Sequence, residues 1–397
     1  MASAKRRRLI EPTLDAFPDP MLDAVVAFLN ARDLCLASVV SHRFRRLCDS
    51  NRAWARLLDP AFMETLACLD TDRQRPAREL VQRVLQPGRF FTRLAWVPLH
   101  TTCPGANTGP SPVKFHTATY LPHLNAILHF GGFLGPALTD DATVLHLDSH
   151  TWERVPTVGA VPCARAGHVS VAIGTRVYVM GGLTDVDEPS DSVHVLETSS
   201  VPMRWSSRTA KGDRPKVRVN RFLHRAHVAG HEIVVAGTWD GAFVARDWIQ
   251  VRALDTRTMS WRFCAGFGAS DLYNASVVIN GNLHVIDSKH LTQVDIWGKS
   301  TPHQVIMSET WPYDESEEIH AVAVGNKAIC WQAWMPRVFD VEARRWLPVT
   351  IDDRHDAPNL GRGLAFCSAG ASLVVTGIPS NNRGATMTAW ALAPVTF

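Results

Sequence analysis

The densest cluster of chemistry-capable side chains is "HRAHVAGH", which carries His224, His227 and His231. On a helix, that spacing would gather imidazoles around a metal ion. The flanking run is strand-like instead, which sends His224 and His227 to opposite faces, and Gly230 breaks the segment before His231. "WGKS", Trp297 to Ser300, imitates the end of a phosphate loop, yet the glycine required five positions before Gly298 is Gln293. No G-x-S-x-G nucleophile elbow occurs. His116 and His168 stand alone in strand-like runs, where a hydrogen-bonded imidazole is expected rather than a ligand. The eight cysteines, at 35, 48, 68, 103, 163, 264, 330 and 367, include no pair close enough for a metal knuckle or redox motif. They read as small hydrophobes in a reducing compartment. The expectation is no catalytic residue, no metal and no cofactor.

The remaining question is what 397 residues with 46% hydrophobic content build, since that content supports real cores in more than one domain. The net charge of +3, from 41 basic and 38 acidic residues, points to neither nucleic acid nor a membrane surface. No run of about 18 apolar residues exists to span a bilayer. "MASAKRRRLIEP" has the charges of a secretory leader without its apolar stretch, so secretion is not expected and the sequon Asn274-Ala275-Ser276 is unused. Lys5 to Arg8 matches a short nuclear import signal, with a solvated tail over 1–13 as the plain alternative. The expected localisation is cytoplasmic, nuclear or both.

From about residue 14 to 86 the apolar residues recur at three and four, which is helical spacing. Asp19 suits a cap and Pro20 a first helical position, after which Leu22, Val25, Val26 and Leu29 share a face. Leu34, Leu36 and Val40 belong to a second short helix, Phe44 and Leu47 to a third, and Trp54 closes the group. Residues 59–91 read as a helical spacer whose last helix stops at Pro87-Gly88.

Beyond residue 90 the pattern becomes short runs rich in Val, Ile, Thr and aromatics between Gly, Pro, Asn and Asp clusters, the signature of many short strands. The strongest runs break at Gly132, Gly182, Gly237, Asp287, Gln332 and Gly377, at intervals of 50, 55, 50, 45 and 45. Most units then show an apolar residue, an acid and a later tryptophan: Leu147-Asp148 to Trp152, Leu196-Glu197 to Trp205, Leu254-Asp255 to Trp261, and Phe339-Asp340 to Trp346. The fourth unit offers Val294-Asp295 and a closely spaced Trp297.

These landmarks resemble kelch repeats, with a period of about 50, a double glycine after the second strand and a later aromatic. The resemblance implies an all-β, six-bladed propeller over 92–397. A small four-stranded sheet cannot bury both faces alone, whereas six stacked about an axis can. The sixth unit has three strands, near Leu364 to Ala369, Leu373 to Gly377 and Thr386 to Leu392. "RLAWVPL", Arg93 to Leu99, is expected to supply its fourth and so close the ring, because Trp96 precedes Trp152 by one repeat length.

Residues 14–58 resemble an F-box, the all-α module that docks on the Skp-type adaptor of cullin-RING ubiquitin ligases. Phe17-Pro18 stands at the family's Leu-Pro, with Leu22, Val25 and Leu29 in its first helix and Leu34 in its second. Val40 to Phe44 falls at its Val-Ser and basic-aromatic run, and Trp54 at its late tryptophan. The resemblance implies adaptor contact through Phe17, Pro18, Leu22, Val25, Leu29, Leu34, Val40, Phe44 and Trp54. Phe17 departs from the usual leucine. A module of this size leaves apolar side chains that want a partner.

Together the two regions imply a non-enzymatic substrate-recognition subunit of an SCF-type ubiquitin ligase, with an adaptor, a cullin and an unknown target protein as partners. The rivals are a kelch scaffold outside ligases and a metal-dependent propeller enzyme. The acidic loops 133–142, 183–191 and 238–247 are candidates for target contact and hint at a basic ligand, with plain solvated turns as the alternative.

Overall fold

The computed structural model describes residues 93–103, 110–185, 192–213, 225–237, 248–268, 275–287, 290–297, 301–306, 320–324, 327–332, 335–352, 364–369, 372–378 and 387–394. The chain divides into two compact units, Met1–Gln86 and Pro87–Phe397. All described residues belong to the second.

Among them, six antiparallel four-stranded sheets follow one another along the chain. Sheet 1 comprises Thr117–Leu121, Ala126–Phe130, Ala142–His146 and Thr151–Arg154. Sheet 2 comprises Val169–Ile173, Arg176–Met180, Val193–Glu197 and Met203–Arg208. Sheet 3 comprises Arg225–Ala229, Glu232–Gly237, Trp248–Asp255 and Ser260–Gly268, and sheet 4 Ala275–Ile279, Asn282–Ile286, His290–Asp295 and His303–Ile306. Sheet 5 comprises His320–Val324, Lys327–Gln332, Met335–Asp340 and Arg345–Leu347. Sheet 6 takes Ala365–Ala369, Ser372–Gly377 and Thr388–Pro394 from the end of the chain and Arg93–Leu99 from its other side. That strand runs antiparallel to Thr388–Pro394, from Leu94 opposite Pro394 to Leu99 opposite Ala389. The expected fourth strand is therefore the observed one.

The first strands pack on one another in cyclic order: sheet 1 touches sheets 2 and 6, sheet 3 touches 2 and 4, and sheet 5 touches 4 and 6. Apolar clusters fill the spaces between neighbours. Leu128, Phe130 and Val144 of sheet 1 meet Val177, Leu196 and Trp205 of sheet 2. Ile127, Leu145 and Trp152 of sheet 1 meet Cys367, Val374 and Ala389 of sheet 6. Each tryptophan of an outer strand lies opposite an apolar residue of the third strand: Trp152 opposite Leu145, Trp205 opposite Leu196, Trp261 opposite Leu254, Trp346 opposite Phe339, and Trp96 opposite Leu392. All five are at most 6% exposed.

The acids before these tryptophans shape the turn into the outer strand. Asp255 Oδ1 accepts the N–H groups of Arg257 and Thr258, and Asp340 Oδ1 those of Glu342 and Ala343, while in sheet 2 Glu197 Oε1 accepts the N–H of Ser199 alone. Sheet 1 differs. Its third strand ends at His146, so Leu147-Asp148 lies two residues further on, and the Asp148 carboxylate instead accepts a bond from the Asn125 side chain.

Trp297 is not the counterpart of the buried tryptophans. It sits in the turn after sheet 4's third strand, its N–H given to Asp295 Oδ1, and is 46% exposed beneath the Arg262 guanidinium, 5.8 Å from its ring centroid. Two residues past the acid are too few to reach an outer strand.

The double glycines answer to crowding. Gly132 and Gly182 hold φ of 106° and 86°, and a Cβ on either would stand 2.8 Å from a backbone oxygen, that of Lys114 or Ala166. Only glycine fits both demands.

Three sheets also gain a parallel strap from the segment leaving the preceding sheet: Thr157–Gly159 beside sheet 2, Lys211–Gly212 beside sheet 3, and Thr350–Asp352 beside Arg93–Ala95 of sheet 6. A bridge from Thr102 to Thr151 repeats this at sheet 1.

Candidate target-docking end of the kelch region

At one end of the sheets, the residues leading into the first strands surround a cavity of about 180 Å³. Five sheets contribute to it, through His116 and Thr117, His168 and Ser170, Arg225, His320, and Phe366. Register fixes which end this is. Thr117 pairs with Phe130 and Val169 with Met180, so the mouth shares its end with the loops that follow the second strands. Those are the acidic loops singled out from the sequence. Asp140, Asp141 and Asp185 are described there, and Asp141 is paired with Arg154. Asp187, Glu188, Asp191 and Asp240 lie outside the described residues.

The histidines of this end stitch sheets together. His168 Nε2 lies 2.9 Å from Thr117 Oγ1, His227 Nε2 2.8 Å from Ser276 Oγ, and His116 Nε2 3.5 Å from Thr376 Oγ1, three contacts that each cross a boundary between sheets. Burial pushes His116 and His227 down to about 4 and holds His168 and His320 well below the usual histidine range. They are neutral hydrogen-bonding groups at pH 7. His320 stacks on Phe366 with ring centroids 3.9 Å apart, joining sheet 5 to sheet 6.

The HRAHVAGH cluster does not assemble. His224 lies outside the described residues, His227 is committed to Ser276, and His231 lies in the turn beyond the far end of that strand. There it joins a group that sequence reading missed, in which His231, Glu232 and Asp255 bring donor atoms within 4.8 Å of one another. Two arginines already occupy that group. Arg262 reaches Glu232 at 2.6 and 3.2 Å, and Arg257 Nη2 lies 2.6 Å from His231 Nε2. Glu232 and Asp255 meet because they lie opposite each other on adjacent strands, a register that the sequence does not display. The arrangement is an ion-pair network at a turn.

Arg165, fully buried, gives N–H bonds to the carbonyls of Cys163 and Gly181, which ties the double-glycine turn to the segment entering sheet 2. The cysteines at 103, 163, 264, 330 and 367 are free, and burial pushes the Cys367 thiol up to about 12. A thiol buried in this way is inert. Phe17, Pro18, Leu22, Val25, Leu29, Leu34, Val40, Phe44 and Trp54 all lie outside the described residues.

No helix among the described residues is long and apolar enough to cross a membrane. Comparison with known families matches residues 91–286 to the KLHDC2/KLHL20/DRC7 Kelch-repeats domain and residues 14–59 to an F-box-like domain. Kelch domain-containing protein 3 of Bos taurus is 30% identical over 185 residues, covering 42% of this chain and 44% of that protein. The Rho GTPase-activating protein gacHH of Dictyostelium discoideum is 36% identical over 85 residues, 21% of this chain and 5% of that protein. The chain thus spans less than half the length of these relatives. F-box-like and kelch-repeat domains are characteristic of non-catalytic interaction and adaptor proteins. By these matches the chain joins an F-box-like domain to a kelch-repeat domain, the pairing typical of substrate receptors of SCF-type ubiquitin ligases.

Proposed function

We propose that this chain is the substrate-recognition subunit of an SCF-type ubiquitin ligase. The observation that carries the reading is the presence in one chain of an F-box-like match at 14–59 and a kelch match at 91–286. Phe17, Pro18, Leu22, Val25, Leu29, Leu34, Val40, Phe44 and Trp54 dock on a Skp-type adaptor, which links the chain to a cullin. The region from 92 onward closes as a six-bladed propeller. The cyclic order of the first-strand contacts and the pairing of Arg93–Leu99 with Thr388–Pro394 support that closure. A target protein docks on the end that carries the five-sheet cavity and the acidic loops, since loops on a rigid scaffold are where recognition residues collect.

Ubiquitin transfer belongs to other subunits. This chain supplies effective concentration, keeping the target's lysines within reach of the charged conjugating enzyme. It works in the cytoplasm or nucleus, with Lys5 to Arg8 as the import signal in the second case.

The test is co-purification of the full chain with adaptor and cullin. Association should be lost in a Pro18→Ala/Leu22→Ala double variant whose kelch region still melts normally. Capture of targets without adaptor or cullin would favour a scaffold role outside ligases.

A further inference from the structure

The open side of the outer strand is covered in four sheets. Straps run parallel to it in sheets 2, 3 and 6, and Thr102 bridges to Thr151 in sheet 1. Each comes from a long connection entering its sheet: 155–168, 209–224, 348–364 and 100–116. Sheet 4 is entered by 269–274 alone, because the outer strand of sheet 3 runs on to Gly268. Six residues reach at most about 22 Å. The crossing from a fourth strand to the first strand of the next sheet takes about 17 Å, three strand spacings across and one sheet spacing over. Too little chain remains to lie along the edge of sheet 4, and among the described residues no strand pairs with the open side of His303–Ile306.

Register fixes the groups on that edge. In sheets 2 and 3 the outer-strand tryptophan turns its carbonyl to the strap: Trp205 O accepts the N–H of Ala160, and Trp261 O that of Asp213. Trp261 stands opposite Leu254, the residue before Asp255. One step on from the pairing of Gln293 with His303, Pro302 stands opposite Val294, the residue before Asp295. Pro302 thus holds the tryptophan's place, its carbonyl toward the edge and no N–H to offer there. By alternation, the backbone N–H and C=O of Gln304 and the N–H of Ile306 face the same way. Gln304 Nε2 lies 3.5 Å from Gly268 O, so its side of the strand, which the exposed Ile306 shares, looks toward sheet 3.

We infer that the outer edge of sheet 4 takes a three-residue extended segment of a docking protein, parallel to His303–Ile306 as the straps are, with an apolar residue at its centre. The segment's first residue gives its N–H to Pro302 O and accepts from the Gln304 N–H. Its third gives its N–H to Gln304 O and accepts from the Ile306 N–H, and the central side chain falls on the face of Ile306. Main-chain bonds supply the affinity, as in other strand additions to a sheet edge. Two copies paired about a two-fold axis through Gln304 would twice set an Ile306 carbonyl against Pro302, whereas a parallel segment asks no N–H of Pro302. The site goes beyond the ligase reading and does not depend on it.

The probe is a capped, fluorescent peptide, Lys-Thr-Val-Thr-Val-Thr-Lys, titrated to millimolar concentration onto the full chain. Anisotropy reads affinity, and isoleucine-methyl NMR reads location. A saturable shift of the Ile306 methyl, with affinity at least 10-fold weaker when the three central residues are proline and at least 10-fold weaker in Gln304→Pro, supports the site. The N–H lost in Gln304→Pro points away from Thr292, so the ladder is spared. Should that variant fail to fold, Ile306→Pro, at the exposed end of the strand, must give the same loss. No shift at Ile306, equal affinity of the proline peptide, or unchanged affinity in a folded variant would overturn the inference. So would an Ile306 shift that follows chain concentration without peptide, which would give the edge to a second copy.

Discussion

Sheets 2 and 4 share one strand order and one set of antiparallel registers, yet they keep their shape by different means. Sheet 2 has the double glycine, the buried Trp205 and the strap Thr157–Gly159. In sheet 4 the hairpin between the second and third strands is closed by Asp287, whose carboxylate accepts the N–H of His290 at 2.6 Å. Its outer strand carries no tryptophan and ends in Ile306, 78% exposed. Alternation of buried residues builds the sheet in both cases, and Leu283, Val285 and Val294 suffice in sheet 4. The hallmark residues answer local crowding. Gly182 is needed where a neighbouring backbone crosses the end of a strand.

That contrast can be broken in graded steps. Deleting residues 92–99 removes the closing strand and Trp96, and should abolish the cooperative melting transition of the kelch region; an unchanged curve would refute closure by this strand. Next comes the tryptophan pair. Trp205→Ala should cost about 3–5 kcal/mol in denaturant unfolding, and Trp297→Ala, at an exposed turn, about 0.5 kcal/mol or less. Equal costs would erase the distinction between the two sheets.

Acidification acts on the histidine stitches. A group whose folded pKa lies below its unfolded value favours the unfolded chain as pH falls, so stability is complete above about 6.5 and declines toward the folded pKa. His116, held at about 4, alone contributes about 1.4 kcal/mol per pH unit in that window. Melting temperature should therefore fall by ~2–4 °C or more between pH 7.5 and 5.5, less so in His116→Gln. The glycines make a separate pair: Gly182→Ala should cost about 1–3 kcal/mol through strain and the contact with the Ala166 oxygen. Gly174→Ala, with φ 60° but open space around the added Cβ, should cost about 1 kcal/mol.

Much of this architecture was legible in the sequence. The break points at Gly132, Gly182, Gly237 and Gly377 fall at or just after the ends of second strands, and the role of "RLAWVPL" followed from a missing strand. What escaped were features set by tertiary proximity. The parallel straps have no periodicity of their own, and the Glu232–Arg262 pair depends on register. Trp297 misled because residue type and order do not reveal whether two residues of chain can reach an outer strand. The cavity at the entry to the first strands draws residues from five sheets, and the orphaned nitrogens of His129 become visible only once its neighbours are placed.

The central claim is that the front of the chain is gripped by an adaptor while the kelch region presents a client. Titration of the purified full chain with a Skp-type adaptor tests it most directly. The account predicts a saturable complex of micromolar or tighter affinity, about −8 kcal/mol or stronger, weakened at least 100-fold by Pro18→Ala/Leu22→Ala without change in the kelch melting transition. No complex at adaptor concentrations well above that range, or equal affinity of the double variant, would contradict it.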